Sequence, residues 1–193
     1  FKPGQATEIA INEEGWKKGG RPFTFTSLPE NEDLEFVIKT YTDHDGVTNK
    51  LLDLKEGDEL LQTDVFGSIH FKGEGTFIAG GAGLTPLISI IRDRENKGES
   101  VSNKLFFANK TQDDIILKNE LEDRLGDNFV NVLSQEKTDD YSYGRIDQNF
   151  LKEHIINLDQ KFYICGPDKM TESVANDLMS IGVKEDNIVA EGW

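Results

Sequence analysis

The length, composition and charge of the chain exclude several classes of protein. Its 193 residues are 36% hydrophobic and include 12 Phe, which suffices for the core of one large domain or two small ones. A net charge of −15 argues against a nucleic-acid partner, because a polyanion would be repelled.

The cysteine and histidine content argues against disulfides and metal sites. The one cysteine, Cys165, cannot form an intrachain disulfide, and the three histidines lie far apart in the sequence. No apolar run approaches the roughly 20 residues that span a bilayer, and no signal peptide opens the chain. These features predict a cytoplasmic protein without a metal.

Residues 1–72 are predicted to be rich in β-structure. Strands are predicted at ATEIAI, RPFTFTS, LEFVIKTY and ELLQTDV, which are separated by Gly, Pro, Asp and Asn. In LEFVIKTY, alternate side chains from Leu34 to Thr40 share one face, a pattern typical of a half-buried strand. GVTNKLLDL predicts a short helix that begins near Thr48.

Residues 73–193 show a different pattern, in which apolar strands alternate with amphipathic helices. The strands are predicted at TFIAG, KLFFAN, FVNVLSQ and KFYICG, and the helices from Pro86 and at DDIILKNELEDRLG, QNFLKEHII and DKMTESVANDLMSIG, after which NIVAEGW ends the sequence. Repeated βα units require a parallel sheet with helices on both faces. Two domains joined near FKGEG are therefore predicted.

The segment GGAGLTP, residues 80–86, joins a predicted strand to a predicted helix. Glycine permits the backbone angles and close approaches of a tight turn, which exposes amide N–H groups at a helix N-terminus and favours phosphate there. The NAD fingerprint differs, because Asn109 and Lys110 stand where it would place an acidic residue. On this segment alone, a nucleotide site and a merely tight turn both remain possible.

Two further segments suggest a ligand site. CGPDKM, which begins at Cys165, repeats the order of strand, glycine and helix start, so that both turns could face one extended ligand; alone, Cys165 could equally be a small buried apolar side chain. In RPFTFTS, Arg21 could bind a diphosphate, Phe23 could stack on a ring and Thr24 could hydrogen-bond a ring heteroatom. Strand alternation would direct Thr24 away from the other two, and an ordinary strand with a solvated Arg also fits.

The order of the motifs along the chain resembles that of one family. FKPGQ, RPFT, GVTNKL, LKEGDEL, GGAGLTP, CGPDKM and the terminal EGW follow one another as in the ferredoxin-NADP reductase superfamily, in particular bacterial flavodoxin and ferredoxin reductases. The resemblance implies an antiparallel FAD-binding β-barrel at 1–72, followed by an NADP-binding α/β domain with a doubly wound parallel sheet at 73–193.

The activity implied by this resemblance is an FAD-dependent oxidoreductase. It would pass a hydride from NADPH or NADH to FAD and electrons onward to a flavodoxin, a ferredoxin or an oxygenase component. A non-catalytic FAD or nucleotide sensor and a nicotinamide-only dehydrogenase are the alternatives. An acidic acceptor could dock on Lys2, Lys17, Lys18 and Lys50, unless these are ordinary solubilising charges.

The resemblance also implies roles for individual residues. Those implied for FAD are Arg21, Pro22, Phe23, Thr24, Ile38, Lys39, Thr40, Gly46, Val47 and Thr48. Those implied for the nicotinamide coenzyme are Gly81, Ala82, Gly83, Thr85, Lys110, Arg145, Gly166, Pro167 and Met170, while Trp193 would pack on the flavin or its adenine. Thr24, Cys165 and Glu191 are implied beside the reacting atoms.

Three departures from the family pattern qualify these roles. Phe23 replaces the usual Tyr, which keeps a stacking face but removes a hydroxyl and is expected to weaken FAD binding. Lys110 and Arg145 could bind the 2′-phosphate of NADPH, whereas NADH becomes equally possible if both are solvated. The chain opens inside the F-x-P-G-Q motif, so either the first barrel strands lie upstream of Phe1, which we expect, or this barrel is incomplete.

Overall fold

A computed structural model describes residues 1–40, 45–99 and 104–190, whose strands form two sheets. The first sheet contains β1 (Ala6–Ile11), β2 (Arg21–Thr24) and β3 (Leu60–Phe66) in the antiparallel order β2-β1-β3. Every residue of β3 is exposed, including Leu60, Leu61, Val65 and Phe66.

The short helix predicted in the N-terminal half is present. It is α1 (Val47–Lys50), which continues into a 3₁₀ turn at Leu51–Asp53. Gly46 precedes α1 in an extended conformation and makes no side-chain cap, because it has no side chain to do so.

The prediction of a half-buried strand at residues 34–40 is wrong for the described structure. Backbone hydrogen bonds join Glu35 to Thr26 and Ser27, but no ladder continues along this segment. Leu34 is 51% exposed, and the expected alternation of buried and exposed residues is absent. A β-strand needs a neighbouring strand for its backbone hydrogen bonds, and alternation of apolar residues does not show whether such a neighbour is present.

The second sheet has six strands, all of them parallel. They are β4 (Gly75–Gly80), β5 (Leu105–Asn109), β6 (Phe129–Leu133), β7 (Ser142–Tyr143), β8 (Lys161–Cys165) and β9 (Ile188–Ala190), in the order β7-β6-β5-β4-β8-β9. The strand order reverses between β4 and β8. At such a switch point the carboxyl ends of the strands open into a crevice.

Helices cover both faces of this sheet, as the sequence predicts. They are α2 (Leu84–Asn96), α3 (Lys118–Leu125), α4 (Gln148–His154) and α5 (Asp168–Ser180). Phe77 packs in a cluster with Leu87 and Leu121, whereas its neighbour Ile78 packs in a second cluster with Phe150 and Leu178. Successive residues of β4 thus pack into the hydrophobic cores on opposite faces of the sheet. The predicted α/β fold with a doubly wound parallel sheet is confirmed.

Two helix starts differ from the predictions. The helix expected to begin at Pro86 begins at Leu84, after a 3₁₀ turn at Gly81–Gly83, so Pro86 occupies the third helical position. Its missing N–H costs nothing there either, since the first four amides of a helix have no intrahelical partner.

The helix predicted at DDIILKNELEDRLG is divided into two parts. A 3₁₀ turn, Gln112–Asp114, is closed by reciprocal bonds between Thr111 and Asp114, and α3 starts only at Lys118. Leu117 between them has a left-handed φ of 53°, which interrupts the helix. The short edge strand β7 was not predicted at all.

The segment between the sheets is bound to the second one. Tyr163 Oη in β8 donates to the carbonyl of Gly73 at 2.6 Å and accepts from the amide of Lys72 at 2.8 Å. Ile69 is fully buried in the core of the second sheet, and the Arg94 guanidinium lies 4.4 Å from the ring centre of Phe71. The domain boundary between residues 72 and 73 stays a prediction.

Candidate active site

A cavity of about 1330 Å³ lies between the first sheet and the carboxyl ends of the second. Single small-ligand pockets usually measure roughly 300–1,000 Å³. The space is therefore large enough for parts of two extended ligands. Its walls come from β2, α1 and the segment 37–39 on one side, and from the turns that follow β4, β5, β6, β7 and β8 on the other.

The four residues of β2, Arg21 to Thr24, all line the cavity. In the described part of the chain, β2 pairs with β1 alone, so its other edge is open. Because alternate residues of a strand point to opposite faces, four consecutive lining residues mean that the cavity follows this open edge. The expected separation of Thr24 from Arg21 and Phe23 therefore does not keep any of them out of the cavity.

Most other residues implied for FAD also line this wall. Gly46, Val47 and Thr48 lie there at the start of α1, together with Ile38 and Lys39. Thr40 is not among the lining residues, although the structure describes it. Trp193 and Glu191 fall outside the described residues.

Lys39 also connects the two halves of the cavity. Its Nζ lies 3.1 Å from Asp114 Oδ1, beside the turn that follows β5. Burial alone would raise the pKa of Asp114, but the hydrogen bonds from Lys39 and Thr111 outweigh it, so the pKa lies below its ordinary value. This carboxylate stays ionised next to the cation.

The two glycine turns are packed backbone against backbone. A Cβ on Gly83 would overlap the carbonyl of Cys165, and one on Gly166 would lie 3.2 Å from the backbone N and Cα of Gly80. Side chains at these positions would separate the turns. The sequence GGAGLTP and the sequence CGPDKM are therefore two parts of one site.

The residues implied for the nicotinamide coenzyme surround this contact. The lining residues are Gly81, Ala82, Gly83, Thr85, Cys165, Gly166, Pro167 and Met170. Thr85 Oγ1 donates to the carbonyl of Ala82 at 3.0 Å, which holds the first turn closed. No side chain of the described residues caps the start of α2 or of α5, so their first amides remain suited to an anion.

A third group of lining residues follows the ends of β5, β6 and β7. Lys110 and Arg145, both implied for the coenzyme, belong to this group. Asn109 and Ser134 also belong to it, and the sequence prediction missed both as site residues. The signal that could have found them is their position, because each follows or ends a parallel strand at the same edge of the sheet.

The described lining of the cavity has a charge opposite to that of the protein. Among the described residues, those that are charged and line the cavity are Arg21, Lys39, Lys110, Arg145 and Lys169 against Asp114 and Asp147, a net charge of +3, whereas the whole chain carries −15. Basic groups concentrated in a cleft attract anionic ligands. The cavity is thus suited to phosphate-bearing molecules, and its uncapped helix starts and close glycine turns fit dinucleotides.

Among the described residues, no group of three or more His, Cys, Asp and Glu side chains could hold a metal ion. Among the helices that the structure describes, none has the length and apolar character needed to cross a membrane.

Comparison with known proteins decides the family. The family model for the oxidoreductase NAD-binding domain matches residues 77–176, just over half of the chain. The chain belongs to this family. The match covers β4 to α5 almost completely, and so includes both glycine turns.

Similar proteins match over both halves of the chain. NADH-cytochrome b5 reductase 2-B of Vanderwaltozyma polyspora is 32% identical over 82% of this chain and 57% of its own length. NADH-cytochrome b5 reductase 2 of Danio rerio is 30% identical over 86% of this chain and 67% of its own length. The chain thus spans between half and two thirds of these relatives.

A solved structure supports the same fold. A ferredoxin NADP+ reductase from Neisseria gonorrhoeae with bound FAD and NADP has a TM-score of 0.79 at 20% identity, covering 99% of this chain and 86% of that one. The predicted resemblance to the ferredoxin-NADP reductase superfamily is confirmed by the family model and the shared fold. The family model describes an NAD-binding domain, which agrees with the predicted nicotinamide dinucleotide.

Proposed function

We propose that this oxidoreductase transfers electrons from a nicotinamide coenzyme through FAD to a protein acceptor. The observation that carries the proposal is the positively charged cavity bounded by the open edge of β2 on one side and by both glycine turns on the other. Two ligands held by opposite walls of one cavity can bring their reactive rings together.

The FAD wall, which consists of β2, the start of α1 and the segment 37–39, would bind FAD and orient its ring system. Arg21 is exposed at the cavity and can place two N–H groups on a diphosphate, while Phe23 offers a flat face to the ring system. Thr24 carries a hydroxyl to the reactive edge of the ring. When bound, FAD supplies the redox chemistry by accepting a hydride from the nicotinamide and releasing electrons.

The coenzyme wall, which consists of the turns that follow the strands of the second sheet, would align the nicotinamide. The amides of the turn at Gly81–Gly83 bind the phosphates, and Cys165 lies at the contact of the two turns, where the nicotinamide is proposed to enter. Glu191 is proposed to lie beside the reacting atoms, and Trp193 is proposed to pack on the flavin.

The adenosine end of the coenzyme is proposed to lie near Lys110 and Arg145. From β8 the sheet continues through β4, β5 and β6 to β7, so an extended dinucleotide that starts at Cys165 reaches these side chains. Two cations there favour the 2′-phosphate of NADPH, whereas the names of the two relatives point to NADH. We propose that Arg145 sets the ratio in which the two coenzymes are used.

The acceptor is proposed to be a one-electron carrier protein. The relatives are named for cytochrome b5, and flavodoxin, ferredoxin and oxygenase components are the other carriers to test. Lys50 lies 3.3 Å from Glu13 and 3.4 Å from Asp53, so the lysine patch expected to bind an acidic carrier is partly neutralised. We therefore favour a carrier that is not strongly acidic. A cytoplasmic location stays a prediction of the sequence.

Spectroscopy of the purified chain tests the proposal. After addition of FAD and removal of unbound flavin, the protein is expected to be yellow, and anaerobic NADH or NADPH should bleach its absorbance. Electrons should then reduce cytochrome b5, ferredoxin or flavodoxin in a steady-state assay. Yellow protein that neither coenzyme bleaches would favour a sensor, and protein that retains no FAD would contradict the proposal.

A further inference from the structure

One arginine joins the two halves of the cavity from outside it. Arg92 lies in α2, and its side chain is 16% exposed. Its Nε and Nη2 donate to the two carboxylate oxygens of Glu120 in α3, each at 2.8 Å. Its Nη1 donates to the carbonyl of Thr26 at 2.7 Å and to Glu35 Oε1 at 2.6 Å, both in the N-terminal half.

The partners of Arg92 belong to segments that form the cavity. Thr26 lies two residues after Thr24, the last residue of β2, whose open edge lines the cavity. Glu35 precedes the lining residue Ile38 by three residues, and the Thr26 hydroxyl donates to the same Glu35 oxygen at 2.8 Å. The helix that carries Arg92 starts at the turn Gly81–Gly83, so one side chain links the FAD wall to the coenzyme wall.

We propose that Arg92 is a positioning residue that fixes the distance between the flavin ring and the nicotinamide. It is not among the residues that line the cavity and acts through Thr26, Glu35 and α2. This inference rests on the proposed function. Hydride transfer needs the reacting atoms near contact, and a displacement of about 1 Å can cost on the order of a hundredfold in rate.

The contacts of Arg92 with Glu120, Thr26 and Glu35, which we call the clamp, require an arginine. The planar guanidinium forms a fork with Glu120 and still has a third nitrogen for Thr26 and Glu35, which a single ammonium group cannot reproduce. Arg124 provides a matched comparison. Its Nε donates to the same Glu120 at 2.9 Å and its Nη1 contacts Glu95, but both partners lie in the C-terminal half.

The experiment compares Arg92→Lys and Glu35→Gln with the control Arg124→Lys. In the first two variants, anaerobic stopped-flow should give flavin reduction slowed by roughly ten- to a hundredfold with coenzyme affinity changed less than about threefold. The long-wavelength charge-transfer absorbance between stacked nicotinamide and flavin should weaken in parallel. Arg124→Lys should retain both properties. Glu35 is half exposed, so Glu35→Gln is expected to fold even where an Arg92 variant does not.

A second readout needs neither cofactor nor turnover. Hydrogen exchange of the amides of Thr26 and Ser27, which donate to the Glu35 carbonyl, should accelerate in both clamp variants and not in Arg124→Lys. Unchanged reduction rate and charge-transfer absorbance in Arg92→Lys, in a protein whose parent chain is reduced normally, would overturn the inference. Failure of the parent chain to be reduced would instead contradict the proposed function.

Discussion

The carboxylate of Asp114 and the ammonium of Lys39 lie 3.1 Å apart and join the two walls of the cavity. Lys39 follows the lining residue Ile38 on the FAD side, and Asp114 belongs to the turn after β5 on the coenzyme side. The pair therefore connects the walls at the cavity itself, whereas Arg92 connects them from outside.

Asp114→Asn should destabilise the fold in a pH-dependent way. The pKa of Asp114 is lowered by folding, so its contribution to stability is present above the ordinary value of 3.8 and is lost as the pH falls through the lowered value. Both side chains are about a third exposed or less, and we expect a loss of no more than about 1 kcal/mol at pH 7. Urea unfolding at pH 7 and pH 3 measures it, and a loss of equal size at both would contradict the assignment.

Gly83→Ala should damage both the fold and the coenzyme wall. The added Cβ would meet the Cys165 carbonyl, and forced overlaps of this kind cost about 1–3 kcal/mol. The free energy of unfolding from urea titration measures the loss. In the control Gly19→Ala, the new Cβ would lie 3.6 Å from its nearest atoms, an ordinary contact, and stability should change little. Equal stability of the two variants would mean that the turns are not packed as described.

Arg21→Ala should weaken FAD binding by roughly ten- to a hundredfold. A hydrogen bond to a charged group contributes about 1.5–3 kcal/mol, and each 1.4 kcal/mol is about tenfold in affinity. The ratio of flavin to protein absorbance after gel filtration and the Kd from flavin fluorescence measure the effect. Lys17→Ala, an exposed lysine outside the cavity lining, is the control. Unchanged flavin content in Arg21→Ala would remove this residue from the FAD site.

Arg145→Ala tests the choice of coenzyme. If Arg145 binds a 2′-phosphate, its loss should raise KM for NADPH about tenfold or more and leave KM for NADH nearly unchanged. Steady-state kinetics with both coenzymes at constant ionic strength measure the ratio. A parallel change in both values would show that Arg145 acts on a group that the two coenzymes share, such as the diphosphate.

The meeting of the two glycine turns could be predicted from the sequence because it depends on local rules. Each turn follows a strand of a parallel sheet, and the carboxyl ends of parallel strands share one edge. The residues of β2 and the start of α1 were likewise recognisable from their motifs. The roles of these residues toward FAD and the coenzyme stay predictions that the proposed experiments address.

Other features depend on contacts that the sequence does not display. The apolar alternation at residues 34–40 suggested a strand, but Glu35 bonds to Thr26 and Ser27 and no ladder extends beyond them. The start of α3 is set by the left-handed Leu117, a conformation that a leucine sequence does not announce. Arg92 could not be selected among 21 basic residues, since its partners are distant in sequence.

The exposure of β3 has a consequence for handling the protein. Among the described residues, this strand pairs with β1 alone and presents apolar side chains such as Leu61 and Phe66 beside unpaired backbone groups. An uncovered strand of this kind is a template for adding strands from other molecules. Concentrated samples of the chain are expected to self-associate. Light scattering should show less association for Leu61→Lys, which puts a charge on the exposed strand β3.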